Sequence, residues 1–505
     1  MTTNSLKYFF NIHLTLYLIF GISLTGIGQK QDVPRIETCD CNFKLDPNYL
    51  AIAPPSLKSD TIFQNNIDKG FKTECGYLIV PENRKKTNSK TVKLPFVIVK
   101  SKNSNKKTDP VFFTAGGPGI SSLGWANGIT KSTLILDRDC IAFEQRGTKY
   151  AIPYLRRFDL DIAMRESYRK NLPKDSMAIV GVKQYKKSLE KAGIDLSGYN
   201  TDETVSDIHD LLDILKIDSV NLFGGSYSGG LMLAVLQKDA SKIRSLVLDS
   251  PLPTFVAIDE DEPANFLQAL NVIFKRVEND SINKELYGNL KENFNQYFTS
   301  IIDKKFYIKY VEKGTTDTLN IEYTKNEILD FIVSELSNPQ IPFIITEIIK
   351  GNHSLYARKK IDNIFNKNPA PDGMRISVYC ADQANYNNED VISQFHTLYP
   401  YMKNYHINDV YKSICDCWKV PPVSPKTKQP FYSDKPVLIG DGEMDQACNP
   451  IYMSMIKHYM PNAQPFLFKN RFHMVGGKDF YEMTQQFIDN PYRKVETKNK
   501  DILAY

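Results

Sequence analysis

The tightest constraint on this chain is the run Phe223-Gly224-Gly225-Ser226-Tyr227-Ser228-Gly229-Gly230, where a short apolar strand must turn into a helix within a few residues. Upstream, Val205, Ile208, Leu211, Leu212 and Leu215 have the spacing of a one-sided amphipathic helix, which leads into the strand Val220 to Phe223. Downstream, Leu231 to Gln237 resumes helix and Ile243 to Leu248 resumes strand. Strand, helix and strand joined by short links predict a parallel sheet with right-handed crossovers. Val111 to Thr114 and Cys140 to Phe143 are further buried strands ending in glycine-containing loops, and Pro436 to Ile439 and Gln464 to Phe468 supply two more. Gly76 to Pro81 and Thr91 to Lys100 read as an antiparallel pair ahead of them.

Between Pro253 and Pro430 strand signals become sparse and aromatic, helix-compatible segments dominate, such as Asn265 to Val277 and Asn326 to Leu336. This stretch lies between two strands of one sheet, so it is expected to be an inserted, mostly helical cap. The chain has 505 residues with 42% hydrophobic and 24% charged side chains, enough for a large core with such an insertion. A net charge of +5 is slight for this length, and the Lys-rich stretches 102–107 and 493–500 read as solvated loops or tails. A nucleic-acid partner is therefore not expected.

Lys7 followed by the apolar run Tyr8 to Leu24 and the small residues Gly26-Ile27-Gly28 reads as an export signal. Asn11 and His13 interrupt the run, which argues against a membrane span of about twenty residues. The expected division is a signal peptide at 1–28, an N-terminal extension at 29–69 and a first core segment at 70–253. The cap follows at 254–430, then a second core segment at 431–490 and a C-terminal tail at 491–505. The destination is periplasmic or extracellular, with no stable membrane association beyond the signal. Eight cysteines (39, 41, 75, 140, 380, 415, 417 and 448) suit an oxidising compartment, although eight thiols permit 105 pairings. The two Cys-Asp-Cys pairs are spaced too closely for ordinary zinc ligands, so disulfides are expected and no metal.

A serine at a strand-to-helix turn sits on a strained backbone that lifts its hydroxyl above the sheet, with small neighbours letting the turn pack closely. Ser226 occupies that position. The familiar G-x-S-x-G pattern has Ser228 in its last place, which makes Ser228 a rival in a shifted register. Phe223 ends the strand and Gly224 begins the turn, and this favours Ser226. A serine hydroxyl needs an oriented base and an anion-stabilising pocket. The loop Ala115-Gly116-Gly117-Pro118-Gly119, directly after a strand, offers backbone N–H groups, and the N–H of Tyr227 offers a second donor. The base follows later in the chain. His473 lies in a loop after the strand Gln464 to Phe468, whereas His458 lies within a helical run, Ile451 to Tyr459. Asp445 is the candidate acid, with Asp441, Glu443 and Asp249 as competitors.

Taken in order, Cys75 to Pro81, the Gly-Gly-Pro-Gly loop, Glu144-Gln145-Arg146-Gly147-Thr148, the Gly-Gly-Ser-Tyr turn, Gly442-Glu443-Met444-Asp445 and His473 resemble the proline iminopeptidase and tripeptidyl aminopeptidase family. Ile376 to Asp382 and Cys415-Asp416-Cys417-Trp418 also resemble that family's cap-to-core segment. The resemblance runs from about residue 70 to 490. It implies the α/β-hydrolase fold, a mostly parallel central sheet flanked by helices with a large helical cap between late strands. It further implies a triad of Ser226, Asp445 and His473, oxyanion donors at Gly117 and Tyr227, no cofactor, and a bridge from Cys380 to Cys415 or Cys417. Family members release N-terminal residues or short peptides through an acyl-enzyme. Glu144 for the usual Asp, Lys149 and Tyr150 for small residues, Ser228 for Gly and Ala115 for His depart from the family and count against narrow proline specificity. The expected partners are peptides with a free N-terminus, whose ammonium needs a carboxylate. Glu260 and Glu262, in the acidic run that opens the cap, and Asp382 near its end are the candidates. A carboxylesterase and a non-catalytic binding protein are the alternatives. The oligomeric state is not legible in the sequence.

Overall fold

In a computed structural model of the chain, residues 33–57 and 62–505 are described, and the expected signal at 1–28 lies outside them. Ten strands form one sheet. In chain order they are β1 (Arg35–Cys39), β2 (Thr73–Pro81), β3 (Thr91–Val99), β4 (Val111–Thr114), β5 (Cys140–Phe143), β6 (Val220–Gly225) and β7 (Ile243–Asp249), with β10 (Val437–Gly442), β11 (Ala463–Phe468) and β12 (Ile502–Ala504). The spatial order is β1-β2-β3-β5-β4-β6-β7-β10-β11-β12. The six strands from β5 to β11 run parallel, and the strands beyond each end of that block are antiparallel. The continuous apolar runs read from the sequence are these central strands. All six residues of β6 and of β10 are buried, as covering both faces with helices requires. One face packs helices Lys174–Lys191, Thr201–Ile214, Tyr227–Lys238 and Ile451–Tyr459, and the other packs Leu123–Ile129 and Lys478–Asp489. This is the α/β-hydrolase fold.

Between β7 and β10 lies an inserted segment built largely of helices, with its own apolar core around Phe266, Leu270, Phe294, Ile332 and Ile345. It also holds a two-stranded hairpin, β8 (Phe306–Val311) with β9 (Thr318–Tyr323), which the sequence reading missed. The region expected to end as a tail closes with β12, which pairs Phe466 to Phe468 of β11 with Ile502 to Ala504. Two disulfides are present, Cys41–Cys75 and Cys380–Cys415, the second being one of the two pairings the resemblance implied. Cys39, Cys140, Cys417 and Cys448 are unbridged. Among the described residues no helix is long and apolar enough to cross a membrane, and no cluster of three or more His, Cys, Asp or Glu is arranged to hold a metal ion.

Candidate active site

β6 delivers Ser226 at the carboxyl end of the sheet, beside its neighbour β7. The serine has φ 55° and ψ −129°, a region an L-residue enters only when its surroundings hold it there. Its N–H donates to the Asp249 carbonyl at 3.0 Å, and its carbonyl accepts from Gly229 at 2.9 Å and Leu252 at 3.0 Å. Three backbone hydrogen bonds thus fix the turn. The Ser228 hydroxyl is buried and hydrogen-bonds that of Thr114 on β4, so it is committed to the sheet and not to the cleft.

The glycine loop after β4 lies directly against this turn. A Cβ on Gly116 would come within 2.6 Å of the Gly225 carbonyl oxygen and 3.0 Å of the Ser226 Cβ, so only glycine permits the approach. Gly117 follows at φ 112°. The loop is held from behind by the Glu144 to Thr148 segment. Gln145 Nε2 donates to the Ala115 carbonyl at 2.7 Å, and the Ala115 N–H donates to Ser122 Oγ at 2.9 Å. Buried Glu144 accepts from the Ser122 N–H at 2.7 Å and the Ser121 hydroxyl at 3.0 Å. Arg146 is fully buried and pairs with both oxygens of Asp207 at 2.7 Å, which ties this segment to the helix Thr201–Ile214. The Tyr227 hydroxyl meets Thr201 at 2.8 Å, and Thr201 in turn donates to Asp382.

On the far side of the inserted segment, His473 and Asp445 come together. His473 Nδ1 lies 2.8 Å from Asp445 Oδ2, and Asp445 Oδ1 accepts from the N–H groups of Ala447 at 2.8 Å and Cys448 at 2.7 Å. Burial alone would push the imidazole down, but the hydrogen bond and charge of Asp445, with the charge of Asp249, outweigh it and raise the His473 pKa. The competing acids have other partners. Asp249 accepts from the Val475 N–H at 2.8 Å and anchors the histidine loop, and burial pushes its carboxyl up to about 6. Asp441 is fully buried, accepts from the Gly442 N–H at 2.7 Å and touches the Asp445 carboxylate. Burial and the adjacent negative charge of Asp445 raise its pKa well above the usual carboxylate range. Glu443 turns away to Arg276 at 2.6 Å, and His458 is exposed on its helix.

Cys448, three residues after Asp445, is fully buried, and burial first and then the charges of Asp445 and Asp441 push its thiol well above its ordinary range. Met474, adjacent to His473, packs on Gly225, where a Cβ would lie 2.4 Å from its Cε. Sequence reasoning missed Cys448; its position three residues after Asp445 was the available signal.

The three candidate ammonium ligands are separated. Asp382 is buried against Thr201 behind the turn, and its carboxyl is pushed up to about 7, first by burial. Glu260 accepts from the Asn388 N–H. Glu262 lines a cavity of about 480 Å³ walled by the inserted segment, together with Asp259, His396, His406, Asn408 and Lys412. Burial and then the charge of Asp259 push Glu262 up to about 8, while Arg375 pulls it back.

Residues 109–281 match the family described as the alpha/beta hydrolase fold. No curated protein matches the chain. Solved structures resemble it at low identity. A serine hydrolase from Cycloclasticus zankles is 14% identical with a TM-score of 0.35, covering 83% of this chain and 100% of its own. A proline iminopeptidase from Mycobacterium smegmatis is 13% identical with a TM-score of 0.40, covering 82% and 98%. A thermophilic esterase from Thermogutta terrifontis is 12% identical with a TM-score of 0.36, covering 83% and 99%. At this depth the likenesses carry no argument about substrate.

Proposed function

We propose that the protein is an exported serine hydrolase that cleaves peptides at a free N-terminus through an acyl-enzyme. The observation that carries this reading is the His473–Asp445 pair at 2.8 Å together with a serine held at positive φ at the strand-to-helix turn. In the proposed reaction the Ser226 hydroxyl attacks the scissile carbonyl and His473 Nε2 takes its proton. Asp445 holds Nδ1–H, so the imidazole has the right tautomer and its cation is stabilised. The N–H groups of Gly117 and Tyr227 receive the oxyanion. His473 then returns the proton to the leaving amine, and water repeats the sequence on the acyl-enzyme.

Of the three candidate carboxylates, Glu262 is favoured for the substrate ammonium because it lines a cavity, whereas Asp382 is buried against Thr201 and Glu260 accepts from the Asn388 N–H. Glu262 is held near 8, so it is mostly neutral at pH 7 in the free enzyme. An arriving ammonium lowers that value, and binding releases a proton. The disulfides Cys41–Cys75 and Cys380–Cys415 support export.

Two measurements test the reading. A fluorophosphonate should label the wild type and not Ser226→Ala; equal labelling of both moves the nucleophile off Ser226, and no labelling of the wild type refutes a serine hydrolase. A panel of aminoacyl and tripeptidyl anilides, each free and N-acetylated, beside short-chain esters should give fast turnover only of free peptides. Equal turnover of acetylated substrates, or turnover of esters alone, makes it a carboxylesterase or an endo-acting enzyme.

A further inference from the structure

The glycine loop is held from two sides, and the second hold comes from the inserted segment. Arg375, in the first turn of the helix Gly373–Asp382, donates from Nη1 to the Gly117 carbonyl at 2.5 Å across 258 positions of sequence. Its Nε donates to Asp409 Oδ1 at 2.7 Å and its Nη2 to Asn408 Oδ1 at 3.1 Å. The guanidinium lies 4.6 Å from the centre of the Tyr379 ring. A planar fork fastened at three points has little freedom of its own, so it fixes what it grips. The helix start is pinned as well. Asp372 caps it by accepting the Arg375 N–H at 2.9 Å, and Gly373 donates to the Leu155 carbonyl at 2.9 Å. The Asp372 carboxylate stands over the loop, with both oxygens 2.9 Å from where a Gly119 side chain would begin.

We propose that Arg375 is a positioning residue for the oxyanion pocket, clamping the Gly117 carbonyl so that the Gly117 N–H is aimed at the reacting carbonyl only when the inserted segment is docked on the core. This rests on the reading of Gly117 as an oxyanion donor. The physical reason is local. The core holds Ala115 through Gln145 and Ser122, but those bonds stop two residues short of Gly117, whose backbone has no side chain to restrict it. The anion pocket works because its donors are fixed before the charge develops. The clamp acts on the transition state, where the oxyanion forms, and contributes little to ground-state binding.

Arg375→Met keeps the apolar stem and removes the clamp. Its kcat should fall about 10- to 100-fold, short of the 10²–10³ for deleting a donor outright. On the short-chain ester, which brings no ammonium to Glu262, KM and the acid limb of the pH profile should hold, since His473 and Asp445 are untouched. The loss should be similar on a free aminoacyl anilide and a short-chain ester, because both form the same oxyanion. Arg375→Lys, which keeps one donor, should recover part of the lost kcat. Asp409→Asn, which weakens the outer hold only, should show a smaller loss of the same kind. Thermal unfolding of each variant identifies any that fail to fold, and Asp409→Asn then decides the matter. A rise in KM with kcat unchanged makes Arg375 a substrate ligand and overturns the proposal, as does unchanged kcat in both Arg375→Met and Asp409→Asn. If the wild type itself takes no fluorophosphonate at Ser226, the serine-hydrolase reading fails first. Labelled wild type with unaffected variants sinks the clamp alone.

Discussion

Asp249, Asp441 and Asp445 all converge beneath the loop that carries His473, yet their hydrogen bonds divide them. Asp445 alone hydrogen-bonds the imidazole, Asp249 holds the backbone two residues on, and Asp441 is buried next to Asp445 with its pKa raised. Asp445→Asn should therefore lower kcat by about 10⁴, through loss of the correct tautomer. Asp441→Asn, which keeps the shape of a side chain that makes no hydrogen bond to His473, should cost about tenfold or less. A steady-state comparison of the two variants checks this, and equal losses would mean that both acids serve the histidine. The pH dependence follows from the same contacts. His473 must be neutral to act, and its pKa lies above the ordinary 6.5, so kcat/KM should fall as pH drops through a point above 6.5. In the residual activity of Asp445→Asn the larger interactions that raise the imidazole are gone and only the charge of Asp249 still opposes burial, so the acid limb should move to lower pH. Ser228→Ala should keep wild-type turnover within a few-fold, since that hydroxyl faces Thr114. A collapse of activity there would return the nucleophile to the shifted register.

At the scale of elements, the disulfide Cys380–Cys415 staples the helix that carries Arg375 to the helix Lys412–Trp418. Trp418 is fully buried beside it, donating to Ser377 Oγ at 2.8 Å and meeting the Tyr185 ring edge-on. The bridge closes a loop of 35 residues, so removing it with Cys380→Ser and Cys415→Ser should cost about 2–4 kcal/mol. Thermal unfolding under oxidising conditions reads the loss. Much of the central sheet was legible because a buried parallel strand leaves a continuous apolar run with glycine at its end. Val111–Thr114 and Cys140–Phe143 coincide with β4 and β5. The edge strand β1, with Thr38 exposed and no residue fully buried, and the three-residue β12 carry too little apolar signal to be read alone. In the β8–β9 hairpin only Ile308, Tyr310, Ile321 and Tyr323 are buried, and the exposed apolar Tyr307 and Val311 blur the alternation. Ser226, Asp445 and His473 could be named from strand ends and chain order. Arg375 could not, because its grip on Gly117 joins segments whose spacing follows no local period.

For the molecule as a whole, the sheet begins and ends in antiparallel strands, and β12 covers the edge that β11 would otherwise present. Deleting residues 501–505 should leave a row of unpaired backbone groups open to another copy, raising the apparent mass in light scattering. A truncated protein that stays at its original mass would show that β11 needs no cover. The inserted segment has a different consequence, one of timing. Ser226 and the glycine loop precede it in the chain, whereas Asp445, His473 and the Arg375 clamp lie after it or within it. β7 can pair with β10 only once that long excursion has closed, and such non-local contacts form late. On the proposed reading, a half-folded chain carries a serine with neither base nor anion pocket. On that reading the hydrolase stays latent until its chain is fully folded.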